Sequence, residues 1–196
     1  MSQGRRWRDI TQRYGAQLGS MAALLRTRDR ILILAAQPGL FDTALQISRN
    51  LYQYFRADTE IVSSGRPVQR HGGNVVHLAC GPELAPSAAP SYPITVARHG
   101  LSIRTARGVV RTYDYRMGLG AVLLRPLAQG RTELVIWGFD RDGLRNAARL
   151  LPMLTGVGQP DFVVVSKECR WKGASGALAM GFLDSLWEVS GSSYIT

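Results

Sequence analysis

Ser175 stands in "GASGA", Gly173 to Ala177, which satisfies the first half of the G-x-S-x-G pattern of a nucleophile elbow. An elbow needs a strand that runs directly into the serine and a helix immediately after it, so that the hydroxyl stands exposed on a strained turn. Here the preceding strand is expected to end near Ser166, the six residues "KECRWK" intervene, and Ala177 replaces the second glycine. A helix cap is therefore the favoured role for Ser175, with the nucleophile of a small serine hydrolase as the alternative. Such a hydrolase needs a base within reach, and the candidates are His77 and His99. His77 alternates with Val75 and Ala79 on one strand face and reads as structural, while His99 occupies a hairpin tip and His71 a solvated turn before Gly72 and Gly73. No two histidines have metal-ligand spacing on one element, and Cys80 and Cys169 lack CxxC spacing, so neither a metal nor a cofactor is expected. The two cysteines read as buried thiols by default, or as one disulfide in an exported protein.

A second candidate site lies at a sheet edge. In open α/β sheets, ligands bind outside the carboxyl ends of the strands. The loops expected there are "AAQPGLF" and "GFDRDG", which make Gln37, Gly39, Asp140 and Asp142 the candidate ligand-binding residues. Neither loop has the GxGxxG or GxxxxGK[ST] pattern, and two aspartates would repel an anion at that helix start. Capping by Asp140 or Asp142 is the favoured reading, which makes this turn a hinge.

The elements that would position these residues follow from hydrophobic periodicity. Residues 1–28 read as a polar, Arg-bearing lead-in with a short helical pattern, where Leu18, Met21, Ala22 and Leu25 recur at helical spacing. "RILILAA" is a short apolar run typical of a strand covered on both faces, broken by Pro38 and Gly39. Leu40, Phe41, Ala44, Leu51, Tyr52 and Phe55 then mark a helix from about 40 to 56, and "TEIVSS" a second strand. That is a βαβ unit. "NVVHLAC" supplies a third strand, "GPELAPSAAPSYP" a loop, and "ITVARHGLSIRT" a hairpin turning at His99 and Gly100. "GAVLLRP" and "TELVIWG" are strands joined by "LAQGR". Leu144, Ala147, Ala148 and Leu151 then form the stripe of a helix ended by Pro152 and Gly156. "DFVVVS" is another buried strand, and "GALAMGFLDSLW" reads as a last helix with Leu178, Phe182 and Trp187 facing the core. The expected fold is α/β, a mostly parallel sheet with helices on both faces in a Rossmann-like sandwich, plus an inserted β-hairpin. One domain spans 29–190, and 191–196 form a tail.

Composition narrows the function classes. With 196 residues, 45% hydrophobic and 19% charged, the chain has the makeup of one globular domain. It shows no membrane span and no export signal, so it reads as soluble. The formal charge of +10 invites a polyanion, yet 22 arginines against 2 lysines, amid many Ala and Gly, is what a GC-rich coding sequence yields without selection for binding. A nucleic-acid partner is not favoured, and an Arg-rich polyanion-binding domain is the last of the readings.

Several segments resemble one known family. "RYGAQLGSMAALLRT", "ALQISRNLYQYFRADTEIV", "GNVVHLACGP", "GAVLLRPL", "LVIWGFDRDGLRNAARLLPMLTGVGQPDFVVV" and "GALAMGFLDSLW" together resemble the C-terminal region of large, mainly fungal, exported prolyl-oligopeptidase-like proteins. The resemblance runs from about Tyr14 to Trp187. It implies that the α/β-hydrolase region and its nucleophile lie upstream in that family, so no catalytic residue carries over to this chain. The function expected is a non-catalytic accessory or interaction domain, whose partner is a hydrolase domain or a second copy of itself.

Overall fold

The structure is a computed structural model that describes residues 15–63, 72–85, 87, 89, 91–151 and 159–196. Its centre is an eight-stranded sheet built from β1 (Ile31–Leu34), β2 (Thr59–Val62), β3 (Val75–Cys80), β7 (Gly120–Pro126), β8 (Thr132–Gly138), β9 (Phe162–Val165), β10 (Ala177–Gly181) and β11 (Tyr194–Ile195). The strands lie in the order β11-β10-β9-β7-β8-β3-β1-β2. Pairings from β2 to β8 are parallel; those from β8 through β7, β9 and β10 to β11 are antiparallel.

Each face of this sheet has a different cover. Alternation along the strands sends Ile31, Ile33, Val76, Leu78, Val122, Leu124, Leu134 and Ile136 to one face. There they meet α1 (Phe41–Phe55) through Ala44, Ile47 and Leu51, α2 (Arg141–Ala148) through Leu144 and Ala147, and a 3-10 helix, Ser20–Leu25, through Met21 and Leu24. The opposite face carries Ala121, Leu123, Val135, Trp137, Phe162, Val164 and Ala179. It is covered by a three-stranded antiparallel sheet, β4 (Ile94–Ala97), β5 (Gly100–Arg104) and β6 (Val110–Asp114), whose Ile94, Leu101, Ile103 and Tyr113 point inward. The Tyr113 hydroxyl donates to the carbonyls of Leu178 and Thr196, which ties this small sheet to β10 and the chain end.

This arrangement corrects the expected fold. The protein is mainly β, with a mixed sheet and a second sheet on one face, and is not a helix-flanked, mostly parallel sandwich. The five-residue link between β7 and β8 dictates an antiparallel hairpin, because a parallel return needs a crossover of a dozen residues or more. The expected hairpin gains a third strand, β6, from "VRTYD", whose one buried side chain gives no alternating signal. The expected last helix is β10 instead. Its burial alternates with period two, and it ends at Gly181, where a Cβ would collide with Ser193 and Phe162. Beyond it Leu183 and Val189 face each other in an isolated bridge, and they, more than Phe182 or Trp187, are the buried residues of that segment. The helix stops assigned to Pro152 and Gly156 lie outside the described residues.

Asn74 joins the pieces at the start of the sheet. Only 3% exposed, it donates to the carbonyls of Ala23, Leu24 and Arg26 at the end of the 3-10 helix and accepts from the Thr132 amide at 2.9 Å. One side chain thus satisfies orphan groups of a helix end and of β8 together.

Helix α2 sits unusually close to the β7–β8 hairpin. A Cβ on Gly143 would collide with the Leu119 carbonyl, one on Gly120 with the Gly143 carbonyl, and one on Gly138 with the Leu144 backbone. All three obstacles are backbone atoms, which no rotamer change can move aside. Gly143→Ala is expected to lower stability by about 1–3 kcal/mol by overpacking, despite a helix-propensity gain of about 1 kcal/mol. Gly191→Ala, with open space around it, is expected to leave the denaturation midpoint in place. Urea unfolding of both variants checks this.

No described helix is long and apolar enough to cross a membrane.

Candidate functional site

The carboxyl edge of the parallel strands brings most of the expected ligand-binding residues together, bonded to the chain itself. After β1 the chain turns onto the helix face through α1, whereas after β3 it departs to the opposite face, so the β1/β3 boundary is the topological switch point. Gln37 closes that boundary. Its Nε2 donates to the Cys80 carbonyl and its Oε1 accepts from the Cys80 amide, both at 2.7 Å, in the manner of an added strand residue. Gly39 adopts φ +81°, and a Cβ there would meet the Arg141 guanidinium at 2.7 Å. A cation of the chain itself therefore lies against the turn where phosphate-binding sheets place their anion. The Cys80 thiol beside it is pushed up by burial and by Asp140, with Arg141 opposing.

The two aspartates divide their roles. Asp140 is the N-cap of α2, accepting from the Gly143 amide at 2.7 Å, and its carboxylate also accepts from the Gly118 amide at 3.1 Å. It thereby pins the loop before β7 to the start of the helix. Asp142 pairs with Arg145 one turn on, at 3.1 Å, on the exposed side of the helix and away from this edge.

A second polar cluster is buried on the sheet face opposite the helices. Arg125 of β7 and Glu133 of β8 face each other in register, 4% and 8% exposed. The guanidinium gives Nε and Nη2 to Glu133 Oε2 at 2.9 and 2.6 Å, and Nη1 to the Ala85 carbonyl at 2.7 Å. The other carboxylate oxygen lies 3.0 Å from Nδ1 of His77 on β3. Burial alone would push the Glu133 carboxyl up; the His77 hydrogen bond and the Arg125 charge outweigh it and hold the group below the usual carboxylate range. Nearby, the Tyr92 hydroxyl donates to the Leu124 carbonyl, and burial pushes its pKa far above the ordinary tyrosine value. His77 is thus an imidazole oriented by a carboxylate, with its side chain 23% exposed.

The residues proposed for a serine hydrolase are not assembled. Ser175 lies in a 3-10 turn, Gly173–Gly176, that leads into a strand and not a helix, so the expected helix-cap role has no helix to serve. Its Oγ donates to the Lys172 carbonyl at 2.7 Å. His77 is committed to Glu133, and His99 is exposed in the β4–β5 turn. His71 lies outside the described residues. Among the described residues, no three His, Cys, Asp or Glu side chains are placed to hold a metal ion, and Cys80 and Cys169 are free thiols.

Arg125 and Glu133 are the site residues that the sequence reading missed. Their signal is a charge inside each of two otherwise apolar strands, "AVLLRP" and "TELVIW", which in a buried strand calls for a partner.

No protein-family model matches the chain. An "Uncharacterized secreted protein" of Arthroderma benhamiae is 44% identical over 201 residues, which cover 100% of this chain and 21% of that protein. The chain is therefore similar to part of a longer secreted fungal protein, spanning about a fifth of its length.

Glu133 sets an acid limit on stability. Because its folded value lies below the unfolded one, its contribution is complete above the unfolded value of about 4.3 and is lost as pH falls through the folded value. Glu133→Gln is expected to cost about 3–5 kcal/mol at neutral pH, since it leaves Arg125 buried and unpaired. It should also flatten the acid limb of stability against pH, as read by urea titration. At the helix start, Asp140→Ala is expected to cost about 1–2 kcal/mol, while Asp142→Ala leaves the midpoint unchanged in the same titration.

Proposed function

We propose that this chain is a non-catalytic accessory domain, one that packs against a hydrolase of the prolyl-oligopeptidase-like kind or helps it hold substrate. The observation that carries the reading is the Gln37 side chain bonded across the switch point. In open α/β sheets a ligand binds in the crevice where neighbouring strands diverge, and β1 and β3 are the strands that diverge in the parallel part of this mixed sheet. Here Gln37 occupies it by bonding both Cys80 backbone groups, and Arg141 lies over Gly39. Glu133 and Arg125 likewise spend their hydrogen bonds inside the fold, on His77 Nδ1, on each other and on the Ala85 carbonyl.

Three further observations lean the same way. The resemblance from Tyr14 to Trp187 is to the region that follows the catalytic part of such hydrolases. The chain is similar to about a fifth of a longer secreted fungal protein, which supports a setting outside the cell for this one as well. Phe41, Tyr52 and Tyr54 of α1 are each more than half exposed, as interface side chains are when a domain stands alone. A hydrolase domain is favoured as the partner over a second copy, because the resemblance pairs this region with one.

A fluorophosphonate probe tests the non-catalytic half of the proposal. Intact-mass analysis of the folded chain at neutral pH is expected to show no adduct; a stoichiometric adduct that Ser175→Ala abolishes would make the chain a serine hydrolase and overturn the reading. For the partner half, the remaining part of the Arthroderma protein is expected to co-elute with the chain as a 1:1 complex. Elution as two separate species rejects it.

A further inference from the structure

The chain has two lysines, and both lie on one small surface. Lys167 follows β9, and Lys172 ends α3 (Cys169–Lys172). A cleft of about 170 Å³ opens there between the loop before β7 and the turn after β9, lined by Arg116, Met117, Ser166, Lys167, Glu168 and Leu178. The Lys167 backbone and Cβ press against Gly118, where a Cβ would meet Lys167 Cβ at 2.8 Å, so the two loops hold each other. Lys172 bonds Glu168 at 2.7 Å, and Trp171 precedes it in the same short helix. Glu168 is kept below the usual carboxylate range by the Lys172 hydrogen bond first, with Arg116 and Lys167 adding to it. Trp171 is 81% exposed and Met117 74%, and the Arg170 guanidinium lies 5.7 Å from the indole centroid. Arg116 and Lys167 thus line the cleft, Lys172 pairs with its Glu168, and Arg170 lies against the exposed ring on the same short helix: four cations to one anion.

From this we infer that the surface formed by Arg116, Lys167, Arg170, Trp171 and Lys172 binds a carboxylated polysaccharide. The cleft is smaller than the roughly 300–1,000 Å³ of a small-molecule pocket, so it suits one unit of a polymer running across the surface. The indole offers an apolar platform to the C–H face of a sugar ring, and the cations meet carboxylates along the chain. A single exposed aromatic disfavours single-stranded nucleic acid, whose binders stack successive bases on several rings. A larger cleft, about 430 Å³ at the opposite edge, sets Arg28, Arg30 and Arg56 against Asp29 and Asp58, and Arg30 also pairs with Glu60, so its charge cancels. The choice of a polysaccharide rests on the extracellular setting in the proposed function, not on its hydrolase partner.

The test is calorimetric titration of the full chain with polygalacturonate at about 50 and 200 mM salt. Binding that weakens with salt is expected. The double variant Lys167→Glu/Lys172→Glu should weaken it by about tenfold or more, and Trp171→Ala by about tenfold with the salt slope unchanged. Arg28→Glu/Arg49→Glu, the same charge change elsewhere, should weaken it no more than about threefold. Equal losses in both double variants would reduce the effect to net charge and overturn the assignment. So would the absence of binding at the lower salt, or tighter binding of a single-stranded oligonucleotide under the same conditions. Because no hydrolase is present, a negative result leaves the fluorophosphonate and co-elution outcomes untouched.

Discussion

Arg125 facing Glu133 in the two central strands is the interaction on which the architecture turns. Two charges that are nearly inaccessible carry a desolvation cost of several kcal/mol each, offset only when every hydrogen-bonding position is filled. The register between β7 and β8 fills them, since a slip of one residue would turn Arg125 to the helix face and leave Glu133 unpaired. The remaining guanidinium donor reaches the Ala85 carbonyl and holds the connection that leads to the three-stranded sheet. The second carboxylate oxygen orients His77 on the neighbouring parallel strand. One ion pair thus links the antiparallel half of the sheet, its parallel half and the route to the covering sheet.

The same demand for closeness governs the other face. Glycines at 120, 138 and 143 let α2 settle onto the hairpin backbone, and Asp140 then bonds both its own helix start and Gly118. A helix held this tightly brings Arg141 over Gly39 and leaves little room at the switch point. The contacts that secure α2 thus also place Arg141 at the turn after β1, beside the Gln37–Cys80 hydrogen bonds that close the boundary.

How much of this was legible follows from which signals are local. β1, α1, β2 and β3 were readable because apolar runs, Pro38-Gly39 and a helical stripe are written within a few residues. β7 and β8 were found as strands, but the short link between them was not turned into the antiparallel pairing it requires. β10 escaped because small apolar residues at period two, Ala177, Ala179 and Gly181, overlap a helical pattern, and only the close approach of Ser193 and Phe162 settles the choice. A cap at Asp140 or Asp142 was legible from the place before a helix stripe, and the choice of Asp140 came from the structure. Arg125 and Glu133 were not, because their meaning is a cross-strand contact between residues eight apart, visible only once a register is assigned.

Net charge misleads in a related way. A total of +10 describes the whole chain, yet a cation's effect depends on its neighbours. Arg125 is consumed in the core, Arg141 lies over Gly39, and Arg145 and Arg30 sit beside carboxylates. Subtracting such groups leaves a positive field only where acids are sparse, and the turn after β9 is such a place: Glu168 stands among Arg116, Lys167, Arg170 and Lys172. An Arg-rich composition says little as a total, because the fold decides which of its cations pair with carboxylates and which remain in water.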